Sequence, residues 1–518
     1  MGRSLFSKLH RIYGEPVSLS DKIALTSARV DTLKSSYPLE MVFAPGASAK
    51  ISAKKVYIVG GGFAGLVAAW WLTNHGFQVE LFEASDHLGG RVLSKIDHAT
   101  NRTIEAGAEL IGRNHPAWLM FARKFNLGLS VVTSEDQYSY EHLELPLAIN
   151  GKRIGVNQQE TLYEEMNRAL TSLNSDAAQV NAHNPWKCAK AIEWDHKTVA
   201  DWLDRLRGHS QDCLAAIRLQ LENDQTVPLE KQSYLGLLAA VKGGALTPLS
   251  NPKRGPSEFW TETEVFRCAT GNQELAVAFG REIEKLGGKV RLNSMVATID
   301  ITSKDATVTV EKIGPQPAAD WVVLAAPPSV WEKIKFAGPG RIQMGNAIKY
   351  LSSVDGRFWL SRNLAPSASS DRLGMVWEGT DNQNLPSEAG AELTVFAGSD
   401  AANRAINAPD VKEYMQGELE SLFPGYRDSV TGSSFQNWPA EPWANAGYSC
   451  PAPGQVTTLA RELVEPKGRL VFAGEHTCMA FFGYMEGALE SGLRAAHTIA
   501  LNEGVSEAID VPEHVQSW

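Results

Sequence analysis

The stretch KKVYIVGGGFAGLVAAWWLTNHGFQVELFEAS, residues 54–85, restricts the fold more than any other part of the chain. It reads as an apolar strand, a glycine turn, an apolar helix and a second apolar strand that ends in an acid. Strands this uniformly apolar belong in a parallel sheet covered on both faces, so the segment is a βαβ unit. Gly60, Gly62 and Gly65 make G-x-G-x-x-G at its turn. Gly60 permits the turn, Gly62 lets backbone approach a pyrophosphate, and Gly65 lets helix and strand pack closely. The helix N-terminus then offers unpaired N–H groups and a positive dipole end to phosphate. Glu83 lies 18 residues beyond Gly65, where a carboxylate accepts from both ribose hydroxyls and disfavours a 2′-phosphorylated cofactor.

A chain of 518 residues is too long for one core and implies two or three units. With 43% hydrophobic and 21% charged residues it is globular, and its net charge of −10 argues against a nucleic-acid partner. Five cysteines (Cys188, Cys213, Cys268, Cys450 and Cys478) are scattered without metal-type spacing, so no metal is expected and the thiols suit a reducing compartment. The N-terminus has no apolar core of a secretory signal, and Phe6 stands where a myristoylation signal wants Ser or Thr. No apolar run is long enough to cross a bilayer. The expectation is a cytoplasmic protein with no membrane partner.

Residues 1–50 carry no strong period and read as an extension wrapping the surface, with APGASAK (44–50) as a linker. Residues 51–118, 260–345 and 432–518 read as the dinucleotide-binding domain. Between them, 119–259 is mainly helical, as TLYEEMNRALTSL and TVADWLDRL show by their spacing, and is read as an insertion contributing to a substrate domain. Residues 346–431, which contain NAIKYLSSVDGRFWL and GMVWEG, alternate like antiparallel strands and supply that domain's sheet. The expected fold is α/β: a Rossmann-like domain interleaved with a mixed antiparallel substrate domain and a helical insertion.

Beyond Glu83 comes LGGRVLS, in which Gly89, Gly90 and Arg91 set flexible backbone and a cation beside the pyrophosphate. Near the other end, FAGEHTCMAFFGYMEGALESGLRAA carries an apolar strand into a glycine-hinged helix. Together these segments resemble the flavin-containing amine oxidase family, which includes monoamine, polyamine and L-amino acid oxidases. The resemblance implies FAD. It places Phe63, Ala64, Ala84, Gly107 and Ala108 along the cofactor, with Glu109, Val296 and Gly474. Glu475 is implied to bond the ribityl-phosphate arm, and the backbone N–H of Met485 the flavin O2. The terminal helix would aim its dipole at the edge of the ring where charge develops on reduction.

The resemblance also implies an aromatic cage of two parallel rings, Tyr484 and Tyr448, the latter from NWPAEPWANAGYSCPAPG with Trp443 upstream. Lys349, in an otherwise apolar strand, would hold a water against flavin N5. Gly447 stands where monoamine oxidases carry the cysteine bonded to the flavin, so non-covalent FAD is expected. The chemistry implied is hydride transfer from the amine-bearing carbon to N5, hydrolysis of the imine, and peroxide from dioxygen. Snake-venom L-amino acid oxidases clamp the α-carboxylate with an arginine where this chain has Leu110. Arg113 takes that role if the chain turns at Gly112, and is otherwise a hinge arginine; Trp377 is a pocket wall or a plain core residue. The helical insertion and non-covalent cofactor favour an L-amino acid oxidase, with a primary amine or polyamine oxidase as the alternative and a non-catalytic flavoprotein scaffold a remote one. Protoporphyrinogen oxidases and carotenoid desaturases share the N-terminal unit, but the tyrosines and Lys349 speak against them. Family tendency implies a homodimer.

Overall fold

The computed structural model describes residues 3–15, 19–36, 53–97, 101–132, 143–250, 255–381, 383 and 390–504. The linker at 44–50 and the closing DVPEHVQSW lie outside them.

The first strand, Lys55–Val59, is central in a five-stranded sheet, flanked by Gln78–Phe82 and Trp321–Leu324, with Lys289–Arg291 and Leu470–Phe472 at the edges. Every pairing is parallel. The glycine-turn helix Phe63–Asn74 is buried along eleven of its residues, which explains its apolar sequence: it is sandwiched between the sheet, the helix Gln273–Lys285 and the terminal helix Met485–Asn502. The two helices meet where Gly492 faces the Ala64 carbonyl, and a Cβ there would come within 2.4 Å of that oxygen. A three-stranded antiparallel meander, 296–315, adjoins this domain.

The second sheet has seven strands, in the order Val430–Asn437, Ala347–Val354, Ala391–Gly398, Gly374–Glu378, Ser367–Ser370, Leu147–Ile149 and Lys152–Arg153. Its last two strands come from the stretch read as helical, and Phe358–Arg362 is a 3-10 turn rather than a continuation of the strand before it. Strand alternation sorts the faces. Ile348, Tyr350, Val376 and Val395 join one core, while Lys349, Met375, Trp377 and Phe396 point to the opposite side. Lys349 sits directly across from Phe396, and Phe396 from Met375.

The N-terminal segment departs most from expectation. Leu5–Tyr13 is a helix whose Leu5, Phe6 and Leu9 are buried in the largest core, against the insertion helix Val156–Thr171. It is internal structure, not a surface wrap. No described helix is long and apolar enough to cross a membrane.

Candidate active site

One cavity of about 310 Å³ runs from the glycine turn to the face of the second sheet that carries Lys349, Met375, Trp377 and Phe396. At one end it is walled by Gly60, Gly62, Phe63, Ala64, Glu83, Ala84, Gly90 and Arg91. Gly60 has φ +110°, a conformation open to glycine, and the helix after it starts at Gly62 without a side-chain cap. Gly62 is open to the cavity: a Cβ there would find its nearest neighbour 4.0 Å away. Gly65 does not line the cavity; its missing Cβ would lie 2.0 Å from the Gly60 carbonyl, so it serves packing alone. Glu83 accepts from the Gly61 N–H (2.6 Å) and from the Ser85 N–H and hydroxyl (2.7 Å each). Each carboxylate oxygen keeps acceptor capacity for a ribose.

The opposite wall comes from the chain's end. Gly474, Glu475, Gly483, Tyr484 and Met485 all line the cavity. The terminal helix also begins without a side-chain cap, so two uncapped helix N-termini open on one cavity. That donor set suits an anionic dinucleotide at one end and a ring that gains negative charge at the other. FAD fits these residues. Glu475, expected on the cofactor's arm, has a carboxylate already engaged by protein donors: Arg91 (2.9 Å), the Ser449 hydroxyl (2.6 Å) and the N–H groups of Gly483 (2.6 Å) and Ser449 (3.2 Å). Burial alone would raise its pKa, but Arg91, His476 and these donors outweigh burial and hold it below the usual carboxylate range. It braces the site as an anion.

Lys349 is buried. Its ammonium donates to Glu109 Oε2 (2.8 Å) and to the Glu105 carbonyl (2.8 Å), leaving one of its three N–H donors. Glu109 is therefore the counter-ion of this lysine. Its other oxygen accepts from the Trp377 indole (3.0 Å), with Arg267 at 3.6 Å. Trp377 is thus both core residue and cavity wall. Gly107, Ala108 and Val296 also line the cavity, and Trp443 stands at its exposed margin beneath the Lys333 ammonium.

Tyr448 and Tyr484 both face the cavity. Gly483, at φ +81°, packs against the Tyr448 ring, where a Cβ would come 2.8 Å from Cδ2. The Tyr448 hydroxyl donates to the Asp224 carbonyl (2.7 Å), and its ring lies parallel to Phe396, with centroids 6.5 Å apart and planes 8° off. Tyr484 is braced edge-on by His115 and Phe259. Burial, reinforced by Asp224, raises both phenol pKa values far above normal, so both hydroxyls stay protonated.

Arg113 is placed as a hinge arginine and not as a carboxylate clamp. It pairs with the buried Glu262 (3.2 Å), its guanidinium lies over Phe266, and it does not line the cavity. The ring of Phe266 and the acid of the short helix Phe259–Glu262 hold it away. Sequence reasoning missed Asp224, Glu264, Phe396 and Met375, all lining residues. Met375 and Phe396 were recoverable by counting two residues along their strands from Trp377 and across from Lys349; the two acids had no such signal.

A family model for flavin-containing amine oxidoreductases matches residues 63–500. Human amine oxidase (flavin-containing) B is 26% identical, with 88% of this chain and 90% of that protein covered. A probable flavin-containing monoamine oxidase A of Dictyostelium discoideum is 24% identical, covering 86% and 97%. Among solved structures, cyclohexylamine oxidase from Brevibacterium oxydans IH-35A superposes with a TM-score of 0.74 at 22% identity over 87% of this chain and 99% of that one. Wild-type putrescine oxidase bound to putrescine gives 0.72 at 22% identity over 86% and 99%. With the family model spanning most of its length, and a cavity shaped for FAD, the chain belongs to the flavin-containing amine oxidoreductase family.

Proposed function

We propose that the protein oxidises an amine rather than an L-amino acid, giving a carbonyl compound, ammonia and hydrogen peroxide. The observation that carries this reading is the charge of the substrate end. A substrate α-carboxylate needs a free cation there. Among the described lining residues Arg91 is bound to Glu475, Lys349 to Glu109, and Lys333 lies at the mouth, while Arg113 faces elsewhere. Around the tyrosines the titratable lining groups are instead the acids Asp224 and Glu264, whose pKa values burial raises and which offer a carboxylate no counter-ion.

When bound, FAD would supply the two-electron acceptor, with dioxygen as the terminal oxidant. The chain does the rest. Gly62 and the helix after it would hold the pyrophosphate, Glu83 the ribose and the Met485 N–H the flavin. Lys349, fixed by Glu109, offers its third N–H to a water or to the ring. Tyr448, Tyr484 and Phe396 orient the substrate's carbon–hydrogen bond between aromatic faces, which also attract a cation. Gly447 precedes Tyr448 and no cysteine lines the cavity among the described residues, which supports non-covalent FAD.

Anaerobic mixing of the yellow protein with primary amines and with their L-amino acid counterparts tests the reading. Bleaching of the visible flavin band by amines alone is expected, with peroxide on admitting air. Bleaching by L-amino acids with amines inert would overturn it, as would colour that persists with every amine.

A further inference from the structure

Outside the lining of the flavin cavity, side chains from three segments converge on one point. His183 stands in the loop NAHNPW of the insertion, Cys478 in the loop that leads from Glu475 to Tyr484, and Glu490 in the terminal helix Met485–Asn502. His183 Nε2 lies 2.9 Å from Glu490 Oε2, and the Cys478 thiol donates to the same oxygen at 3.5 Å. The ring nitrogen, the sulfur and the carboxylate oxygen all lie within 4.8 Å of one another. A tetrahedral zinc ion, with bonds of roughly 2.0–2.3 Å, holds such atoms roughly 3.3–3.6 Å apart, so small side-chain rotations close the difference. The loops that deliver them are fixed. Asn181 Oδ1 accepts from the N–H groups of His183 (3.1 Å) and Asn184 (2.8 Å), and Gly487 makes room for the other loop, since a Cβ there would lie 3.3 Å from that of Cys478.

The chemistry of the three groups decides what belongs among them. A thiolate, an imidazole and a carboxylate are the donor set of zinc, whereas Mg²⁺ and Ca²⁺ take oxygen ligands. Thiolate and carboxylate carry two negative charges, which a divalent ion cancels where an uncompensated charge is costly. Cys478 and Glu490 are buried, but the His183 side chain is 34% exposed, so the cluster is closed on one side and open to entry on the other. The neighbouring charges are engaged elsewhere. Glu486 accepts from the N–H groups of Ala117 (2.7 Å) and Trp118 (2.9 Å), Arg29 donates to the carbonyls of Gly243 (2.8 Å) and Ala245 (3.0 Å), and Arg494 to the carbonyl (2.8 Å) and hydroxyl (2.6 Å) of Thr477.

We propose that His183, Cys478 and Glu490 form a zinc site, with a water as fourth ligand on the open side of His183. On binding, the Cys478 thiol loses its proton to solvent and His183 presents Nε2 unprotonated, its hydrogen on Nδ1; no oxidation state changes. The ion clips the insertion to the terminal helix and to the loop before it. Ala182, Cys478, Ala480 and Phe481 make a small core on which Tyr484 packs, so the clip also braces a tyrosine of the flavin cavity. Cysteine spacing carries no sign of this site, because one ligand alone is a cysteine and His183 and Glu490 are 307 positions apart.

Calorimetric titration of ZnCl₂ into the FAD-loaded protein, dialysed against EDTA and then metal-free buffer, tests the site beside Cys478→Ser and His183→Gln. One equivalent should bind the wild type and raise its Tm, while Mg²⁺ at the same concentration leaves Tm unchanged. Each substitution should weaken zinc binding by about 100-fold or more, at wild-type flavin content. Co²⁺ in place of zinc should add the visible absorption of a four-coordinate thiolate site, beyond the flavin band, and Cys478→Ser should lack it. The site is overturned if the wild type binds no zinc, if either variant binds it as tightly, or if Mg²⁺ raises Tm equally. Should a variant fail to fold, the wild-type cobalt spectrum decides, and six-coordinate bands without a thiolate overturn the site. These readouts involve no turnover and stand whichever amine or amino acid is the substrate.

Discussion

At the dinucleotide end of the cavity the working groups are backbone: Gly60, Gly62 and Gly90, with two helix N-termini that no side chain caps. At the substrate end they are charged and aromatic side chains, and Lys349 meets a counter-ion 240 residues away in sequence. Backbone recognition tolerates many side chains but no obstruction. The side-chain end is the reverse, since each group there depends on one partner from a distant segment. Substitutions in the two regions should therefore fail differently.

The largest effect belongs to Gly65. A Cβ 2.0 Å from the Gly60 carbonyl forces helix and strand apart, so Gly65→Val is expected to give little folded protein by circular dichroism. Gly62→Ala has 4.0 Å of clearance and should fold, but lose most of its flavin absorbance, because the added methyl stands where the pyrophosphate approaches. Were both to fold and stay yellow, the backbone account of this end would be broken.

Lys349→Met should come next. It removes the closest counter-ion of the buried Glu109, leaving it the Trp377 indole and the more distant Arg267, and should cost up to roughly 3–5 kcal/mol in denaturant unfolding. Lys349→Met with Glu109→Gln should regain much of that stability, yet the anaerobic rate of flavin reduction should stay low. Full recovery of the rate would reduce the lysine to a structural ion pair. Arg113→Ala removes an ion pair to the buried Glu262. It should lower stability without altering substrate choice, and a selective loss of L-amino acid turnover would restore its expected role.

The smallest effect is a pH dependence. Burial, with Glu109 nearby, pushes the Glu392 carboxyl up to about 8 from 4.5. Between those values the unfolded chain has released the proton and the folded one has not, so this group's contribution to stability falls as pH rises. Glu392→Gln should match the wild-type Tm below about pH 4.5 and exceed it above about pH 8. A variant less stable at both ends would show that the carboxylate is needed ionised.

The dinucleotide end was legible because its information is local: strand, turn, helix and acid follow one another within residues 54–85. Lys349, Tyr448 and Tyr484 were found through family resemblance, since nothing near them in sequence says they share a cavity. Asp224 and Glu264 stand in LENDQTVP and TETEVF, which look like ordinary solvent-facing stretches. Arg113 stayed open between a carboxylate clamp and a hinge arginine because its partner, Glu262, is 149 positions away. The helix Leu5–Tyr13 lies in a stretch read as having no strong period, and its burial depends on distant partners, as the contacts of Arg3 with Asp381 and of Lys8 with Ala368 show.

That first helix has a consequence for how the molecule is assembled. Arg3 and Ser4 meet Glu264 across some 260 residues of chain, so the earliest residues complete a wall whose other parts are made much later. Closing so wide a loop is entropically slow. During synthesis the substrate chamber must stay unroofed until the chain has passed its midpoint, with Phe6 and Leu9 left without their eventual neighbours.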